Sequence, residues 1–138
     1  MFFHDATDRI RAAAIWLGLQ LKTSGIAVFV PDLEDAARLD RLLWEQAPVG
    51  FTAHCESNNI LSSETPIVLF KSPPARWPKS ILLNLSAVVP PQVEEIEHLV
   101  EIVSKDHAGR TEGRSRFRAY QAEGFDIETR NIEQDPLA

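Results

Sequence analysis

Ile26-Ala27-Val28-Phe29-Val30, closed by Pro31 and Asp32, is the stretch on which the fold turns. Five consecutive apolar residues, mostly β-branched or aromatic and with no polar alternation, describe a short interior strand. From Asp5 to Ser24, just before it, Ile10, Ala13, Ala14, Leu17 and Leu21 recur at three- and four-residue spacing. That is the buried stripe of an amphipathic helix, with Asp5 or Thr7 placed to cap its start and Gly25 to end it. Behind the strand, Pro31 stops the ladder and Asp32 is placed to cap a second helix running to about Gln46. Its inner face is Ala36, Leu39, Leu42 and Leu43, with Trp44 at its end.

The same alternation continues downstream. Pro66–Phe70 and Ser80–Leu85 read as strands, and the proline-punctuated segment Lys71–Lys79 between them reads as a loop. Between Gln92 and Ser104 the pattern fits a helix through Val93, Ile96, Leu99, Val100 and Val103, or a strand over His98–Val103. Arg114 to Glu123 reads as helical with Gly124 as its stop, and alternation at Phe125, Ile127 and Thr129 predicts a half-exposed edge strand. Strands alternating with helices predict an α/β fold with a mainly parallel sheet and helices on both faces. With 138 residues and 44% apolar content, one domain spanning 1–138 is expected, about 131–138 forming a flexible tail.

Composition bounds the function. Lone Cys55 excludes an intramolecular disulfide, argues against a cysteine-based zinc site and favours a reducing, cytoplasmic address. No apolar run reaches the roughly 20 residues of a membrane helix, and no leader pattern opens the chain. Fourteen Lys and Arg against twenty Asp and Glu give a net charge of −6, the wrong sign for a surface that grips duplex DNA throughout. The charge is uneven, however. Lys105, Arg110, Arg114, Arg116 and Arg118 against Asp106 and Glu112 make a local +3, and the residues after Tyr120 reverse it.

Catalytic and cofactor signatures are missing from the sequence. None of the six glycines builds a G-x-G-x-x-G or G-K-[ST] phosphate loop, so the fold class carries no expectation of ATP or NAD. His54 and Cys55 are adjacent, which on a strand or a helix keeps their side chains from meeting. His4, His54, His98 and His107 lack metal-ligand spacing, and Glu94, Glu95 and Glu97 read as a solvated face. No catalytic residue, metal or cofactor is therefore expected. Arg110, Arg114, Phe117, Arg118 and Gln121 fall along one side of a helix, a row of guanidinium groups with an aromatic ring. It is either a solvated face with Phe117 turned into the core, or a surface for an acidic, partly apolar ligand. Gly109 and Gly113 weaken any helix beginning before Arg114, so Arg110 is expected in a preceding turn. Trp44 and Phe51, flanking a Pro–Gly turn, either staple the chain internally or anchor a partner.

Arg38-Leu39-Asp40-Arg41-Leu42-Leu43-Trp44 followed by Phe51-Thr52-Ala53-His54, and later Arg116-Phe117-Arg118-Ala119-Tyr120-Gln121-Ala122-Glu123-Gly124-Phe125, resemble the chi subunit of bacterial DNA polymerase III, a clamp-loader accessory protein. The resemblance spans essentially the whole chain. It implies a Rossmann-like three-layer α/β/α fold without a nucleotide-binding loop or catalysis, Leu99–Val103 as a strand, and the segment to Gly124 as the last major helix. It also implies a non-catalytic adaptor that binds the acidic, phenylalanine-ended C-terminal tail of single-stranded DNA-binding protein. Val103, Arg114, Phe117 and Arg118 match the tail-binding positions, with Arg110 at a further basic position. On the opposite surface, Trp44 and Phe51 match positions that bind the psi subunit in a heterodimer. DNA would be reached indirectly, and no membrane is involved. The opening strand, Phe2-Phe3-His4, is shorter than the family pattern.

Two other readings belong to different classes. One is a small α/β nucleotide-binding or enzymatic domain with a nonstandard site near His54 and Cys55. The other is direct DNA binding through the Lys105–Arg118 island.

Overall fold

Among the described residues, seven parallel strands lie in the order β3-β4-β2-β5-β6-β1-β7. The elements run β1 (Phe2–Ala6), α1 (Arg9–Leu19), β2 (Ile26–Phe29), α2 (Leu33–Glu45), β3 (His54–Glu56), β4 (Ile67–Phe70), β5 (Ile81–Asn84), β6 (His98–Ser104), α3 (His107–Ala122) and β7 (Thr129–Asn131). They are seen in a computed structural model that describes residues 1–20, 25–45, 54–56 and 67–135, with the backbone alone for 54–56. β2 pairs with both β4 and β5 and every one of its residues is buried, as a continuous apolar run requires.

The two faces of the sheet hold separate cores. Phe3, Val28, Leu69, Leu83, Val100 and Ile102 pack under α1 and α2, against Ile10, Ala13, Leu17, Leu39 and Leu43. On the other face Ala27, Phe29, Val68, Phe70, Leu82 and Ile96 pack with Trp77. That ring stands on Phe29 and Phe70 at centroid distances of 5.6 and 5.3 Å, and its indole N–H donates to the Pro91 carbonyl at 2.8 Å. The proline-rich loop thus covers part of the sheet that no helix among the described residues covers, and α3 covers the β6 end. The result is a three-layer α/β/α arrangement.

Several local expectations are corrected. Asp8, rather than Asp5 or Thr7, caps α1 by accepting from the Arg11 amide at 3.2 Å, and the helix ends at Leu19 with Gln20 as its C-cap, well before Gly25. Leu21 lies outside the described residues. Asp32 does cap α2, accepting from the Asp35 amide at 3.0 Å. The opening strand extends to Ala6 and sits inside the sheet between β6 and β7. β6 is a strand from His98 to Ser104, and the edge strand β7 begins only at Thr129. Ile132 donates its amide to the His4 carbonyl at 3.1 Å, and residues 136–138 lie outside the described set.

The largest correction concerns α3, which starts at His107 and runs through both glycines. Each glycine marks a place where the helix touches the sheet. A Cβ on Gly113 would stand 2.8 Å from Val103 Cγ1, and one on Gly109 would stand 2.0 Å from Ser104 Oγ. The loss of helix propensity at a glycine is about 1 kcal/mol. Here it is offset by a close approach that no larger residue permits, and Arg110 is consequently helical.

Candidate functional site

α3 and β6 meet along one seam, and the chemistry of the molecule lies on its two sides. Under the helix, the strand places Leu99, Glu101 and Val103 toward α3, because alternate residues share a face. Glu101 is therefore a carboxylate pressed into the interior, 1% exposed. Its Oε2 accepts from Arg116 Nε at 3.1 Å, from Asn84 Nδ2 at 2.7 Å and from the Tyr120 hydroxyl. Arg116 Nη1 also donates to the Ala87 carbonyl at 3.1 Å. Oε1 has no partner among the described residues. Burial pushes the Glu101 carboxyl above its usual range, opposed by the Arg116 charge and the three donors. Burial and the adjacent carboxylate raise the Tyr120 hydroxyl as well. This network clamps α3 to β5 and β6.

On the outer side of the seam is a cleft of about 370 Å³ lined by Phe2, His4, Asp5, Val103, Ser104, Arg110, Gly113, Arg114, Phe117 and Thr129. Val103 is buried and forms its floor, while half-buried Phe117 forms a wall and stands edge-on to Phe2 at 5.2 Å and 87°. The missing side chain at Gly113 is what leaves Val103 open to the cleft. Arg110 and Arg114 lie one helical turn apart on the rim. Val103, Arg110, Arg114 and Phe117 are thus brought into one cavity. Arg118 is exposed on the same helix, outside the cleft lining.

The basic island resolves unequally. Arg116 is neutralised by Glu101, Lys105 lies 3.9 Å from Glu133, and Arg110 Nη2 donates to Asp5 Oδ1 at 2.8 Å. The side chains of Arg114 and Arg118 have no hydrogen bond or ion pair among the described residues. Of five cations in one run, the two without a carboxylate partner stand at or beside the cleft. His4 Nδ1 lies 2.6 Å from Asp5 Oδ2, and these two contacts, His4 first, hold the Asp5 carboxyl below the usual carboxylate range. An apolar floor beside an uncommitted guanidinium suits a ligand that joins an apolar group to a carboxylate.

A second crevice of about 200 Å³ lies at the carboxyl ends of the strands, where open α/β sheets bind nucleotides; it is lined in part by Ser104, Asp106, Gly109, Glu112 and Arg116. Its helix N-terminus is already occupied. Asp106 accepts from the Gly109 amide at 3.1 Å and from the Ser104 hydroxyl, contacts that hold its carboxyl below the usual range. Asp106 and Glu112 share this crevice with Arg9 and Arg116, and both guanidiniums are already paired, Arg9 with Asp35 and Arg116 with Glu101, so neither is left uncommitted for a phosphate.

Trp44 is 51% exposed near the end of α2, on the face of the sheet opposite α3. Phe51 lies outside the described residues. His54 and Cys55 fall in β3, and no cluster of three His, Cys, Asp or Glu suited to a metal ion occurs among the described residues. No described helix is long and apolar enough to cross a membrane. The Glu101–Arg116 pair escaped sequence reasoning. Its signal was available as a single acid inside the apolar run Leu99-Val100-Glu101-Ile102-Val103, where a buried carboxylate demands a partner.

Among solved structures, the C-terminal domain of S. cerevisiae Dbp5 superposes with a TM-score of 0.59 at 12% identity, covering 95% of this chain and 88% of that one. That likeness is one of fold. The Haemophilus influenzae DNA polymerase III subunit chi is 27% identical over 124 residues, 88% of this chain and 82% of the relative. The Pseudomonas aeruginosa DNA polymerase III subunit chi is 26% identical over 110 residues, 78% and 76% of the two chains. The family described as DNA polymerase III chi subunit, HolC, matches residues 1–128, and the chain therefore belongs to the DNA polymerase III chi subunit family.

Proposed function

We propose that this chi-family protein is a non-catalytic, cytoplasmic adaptor that joins the polymerase III clamp loader to single-stranded DNA-binding protein by holding the acidic C-terminal tail of the latter in the α3 cleft. The observation that carries this reading is the unpaired Arg114 guanidinium beside the apolar surface of Val103 and Phe117. A tail ending in phenylalanine offers a ring for that surface and a terminal carboxylate for Arg114, while Arg110 and Arg118 face its preceding acids. Charge also fits the role. A chain of net −6 does not need to grip DNA itself if a few arginines on one helix hold a partner that does.

Trp44 supports a second contact, with psi, on the opposite face of the sheet, so that the two partners do not compete for surface. Phe51 is assigned to the same contact by resemblance to the family.

Calorimetric titration with the tail peptide tests the first contact. Arg114→Ala is expected to weaken binding by roughly 1.5–3 kcal/mol, the range for a charge-assisted hydrogen bond, and removal of the terminal phenylalanine by a similar amount. Saturable binding unaffected by either change would place the tail elsewhere. Trp44→Ala should leave peptide binding intact and weaken psi, and loss of both would refute the two-face assignment.

A further inference from the structure

Arg110, at the cleft rim, is held by a carboxylate of the chain itself, and the backbone is distorted to bring it there. β1 and β6 pair in regular parallel register through Phe3 and Ile102, but Ala6 then pairs with Ser104. β1 thus carries one more residue than its partner, a bulge at His4–Asp5. Phe3 and Ala6 both reach the apolar core under α1, although residues three apart in a regular strand point to opposite faces. Asp5 takes up the difference with φ of 63°, in the left-handed region that Asp tolerates better than most residues. In an unbulged strand Asp5 would share the face of Phe3 and enter that apolar core. With the bulge it turns toward α3, where its carboxylate meets Arg110 Nη2 at 2.8 Å and His4 Nδ1 at 2.6 Å.

We infer that Asp5 sets the affinity of the cleft by acting as a resident competitor for Arg110, occupying the guanidinium that an acidic residue of the ligand must capture. This rests on the proposed function of the cleft and adds to it. An acidic ligand gains Arg114 at once and gains Arg110 only by displacing Asp5. Binding through Arg110 is then an exchange of one carboxylate for another, which favours ligands with several closely spaced acids over a single terminal carboxylate. Asp5 is 17% exposed and Arg110 52% exposed, so the pair is open to solvent on the Arg110 side, where exchange begins.

Asp5→Asn keeps the left-handed backbone and removes the charge, and Asp5→Gly accepts the same φ without strain. The probe is a fluorescent peptide of several aspartates ending in phenylalanine with a free carboxylate, followed by anisotropy. Both variants are expected to tighten Kd about two- to fivefold, the scale of an exposed ion pair. In an Arg110→Ala background, Asp5→Asn should produce no gain. Unchanged or weaker binding by both Asp5 variants, or a gain that persists without Arg110, overturns the competitor role while leaving the cleft assignment standing. Binding by the Asp5 variants alone, with none by the parent protein, supports it. Absence of binding by every form overturns the cleft assignment and the competitor role together.

Discussion

Removing the Arg116 guanidinium tests how α3 is held to the sheet. Arg116 is 6% exposed and Glu101 1%, and the guanidinium supplies the only positive charge bonded to that carboxylate among the described residues. In Arg116→Met the packing volume is largely kept, so the loss comes from electrostatics. Glu101 retains the Asn84 amide and the Tyr120 hydroxyl but no counter-charge, and breaking a buried pair from one side costs about 3–5 kcal/mol. Against a typical total of about 5–15 kcal/mol this is a large fraction, equivalent to roughly 10–20 °C in melting temperature for a chain of this size. The loss has a pH signature. Burial already raises the Glu101 carboxyl, and removal of Arg116 raises it further, because the arginine charge opposes the shift. The native state then binds a proton that the unfolded chain releases, so stability is retained below the unfolded carboxylate value and falls as pH rises toward the folded one. The deficit relative to the parent protein should therefore be smallest in acid, where both native states hold the proton, and widen once the pH exceeds the parent's own raised Glu101 value, because only the variant still binds the proton there. Urea denaturation followed by circular dichroism at pH 5 and pH 7 measures it. Adding Glu101→Gln should restore much of the loss at pH 7, since the amide oxygen still accepts from its neighbours. A loss below about 1 kcal/mol, or one that neither pH nor Glu101→Gln alters, would refute the reasoning.

Two further outcomes follow from the packing and the caps. Gly113→Ala gains about 1 kcal/mol of helix propensity but drives a methyl to 2.8 Å from Val103 Cγ1, and overpacking of that kind costs about 1–3 kcal/mol, so thermal melting should show a net loss of up to about 2 kcal/mol together with weaker peptide binding; a gain of the full propensity term would show that the helix does not lie this close. Asp8→Asn keeps an N-cap but removes the carboxylate that pairs with Arg38, and because the Arg38 contact depresses the Asp8 carboxyl, the parent protein should be the more stable at neutral pH and lose that advantage as pH falls through and below the ordinary carboxylate value; a difference that persists in strong acid would assign it to something other than the ion pair.

How far the sequence alone carries can be judged from particular residues. Ile26–Phe29 and Ile67–Phe70 are legible because a strand buried on both faces leaves no room for polar residues, and the whole parallel core follows from them. The start of α3 is not legible, since Gly109 and Gly113 count against a helix unless the strand beneath is known. Arg116 reads as one more surface cation, and only the pleat of β6 shows that it faces Glu101. Val103, Arg110, Arg114 and Phe117 were legible as a set through resemblance to the chi family, and the structure places all four on one cleft. Asp5 is the residue a linear reading could not place. Phe2-Phe3-His4-Asp5-Ala6 carries no mark of a bulge, and without one its carboxylate has no path to Arg110.

The measurement that bears most directly on the central claim is chemical-shift mapping of the isotopically labelled protein as the acidic, phenylalanine-ended peptide is added. The account predicts saturable shifts concentrated on Phe2, Val103, Gly113, Arg114 and Phe117, with the side-chain signals of Arg110 and Arg114 among them, and little change on α1 or α2. Saturable shifts centred on α2, on the crevice beside Asp106 or on no contiguous surface would contradict it.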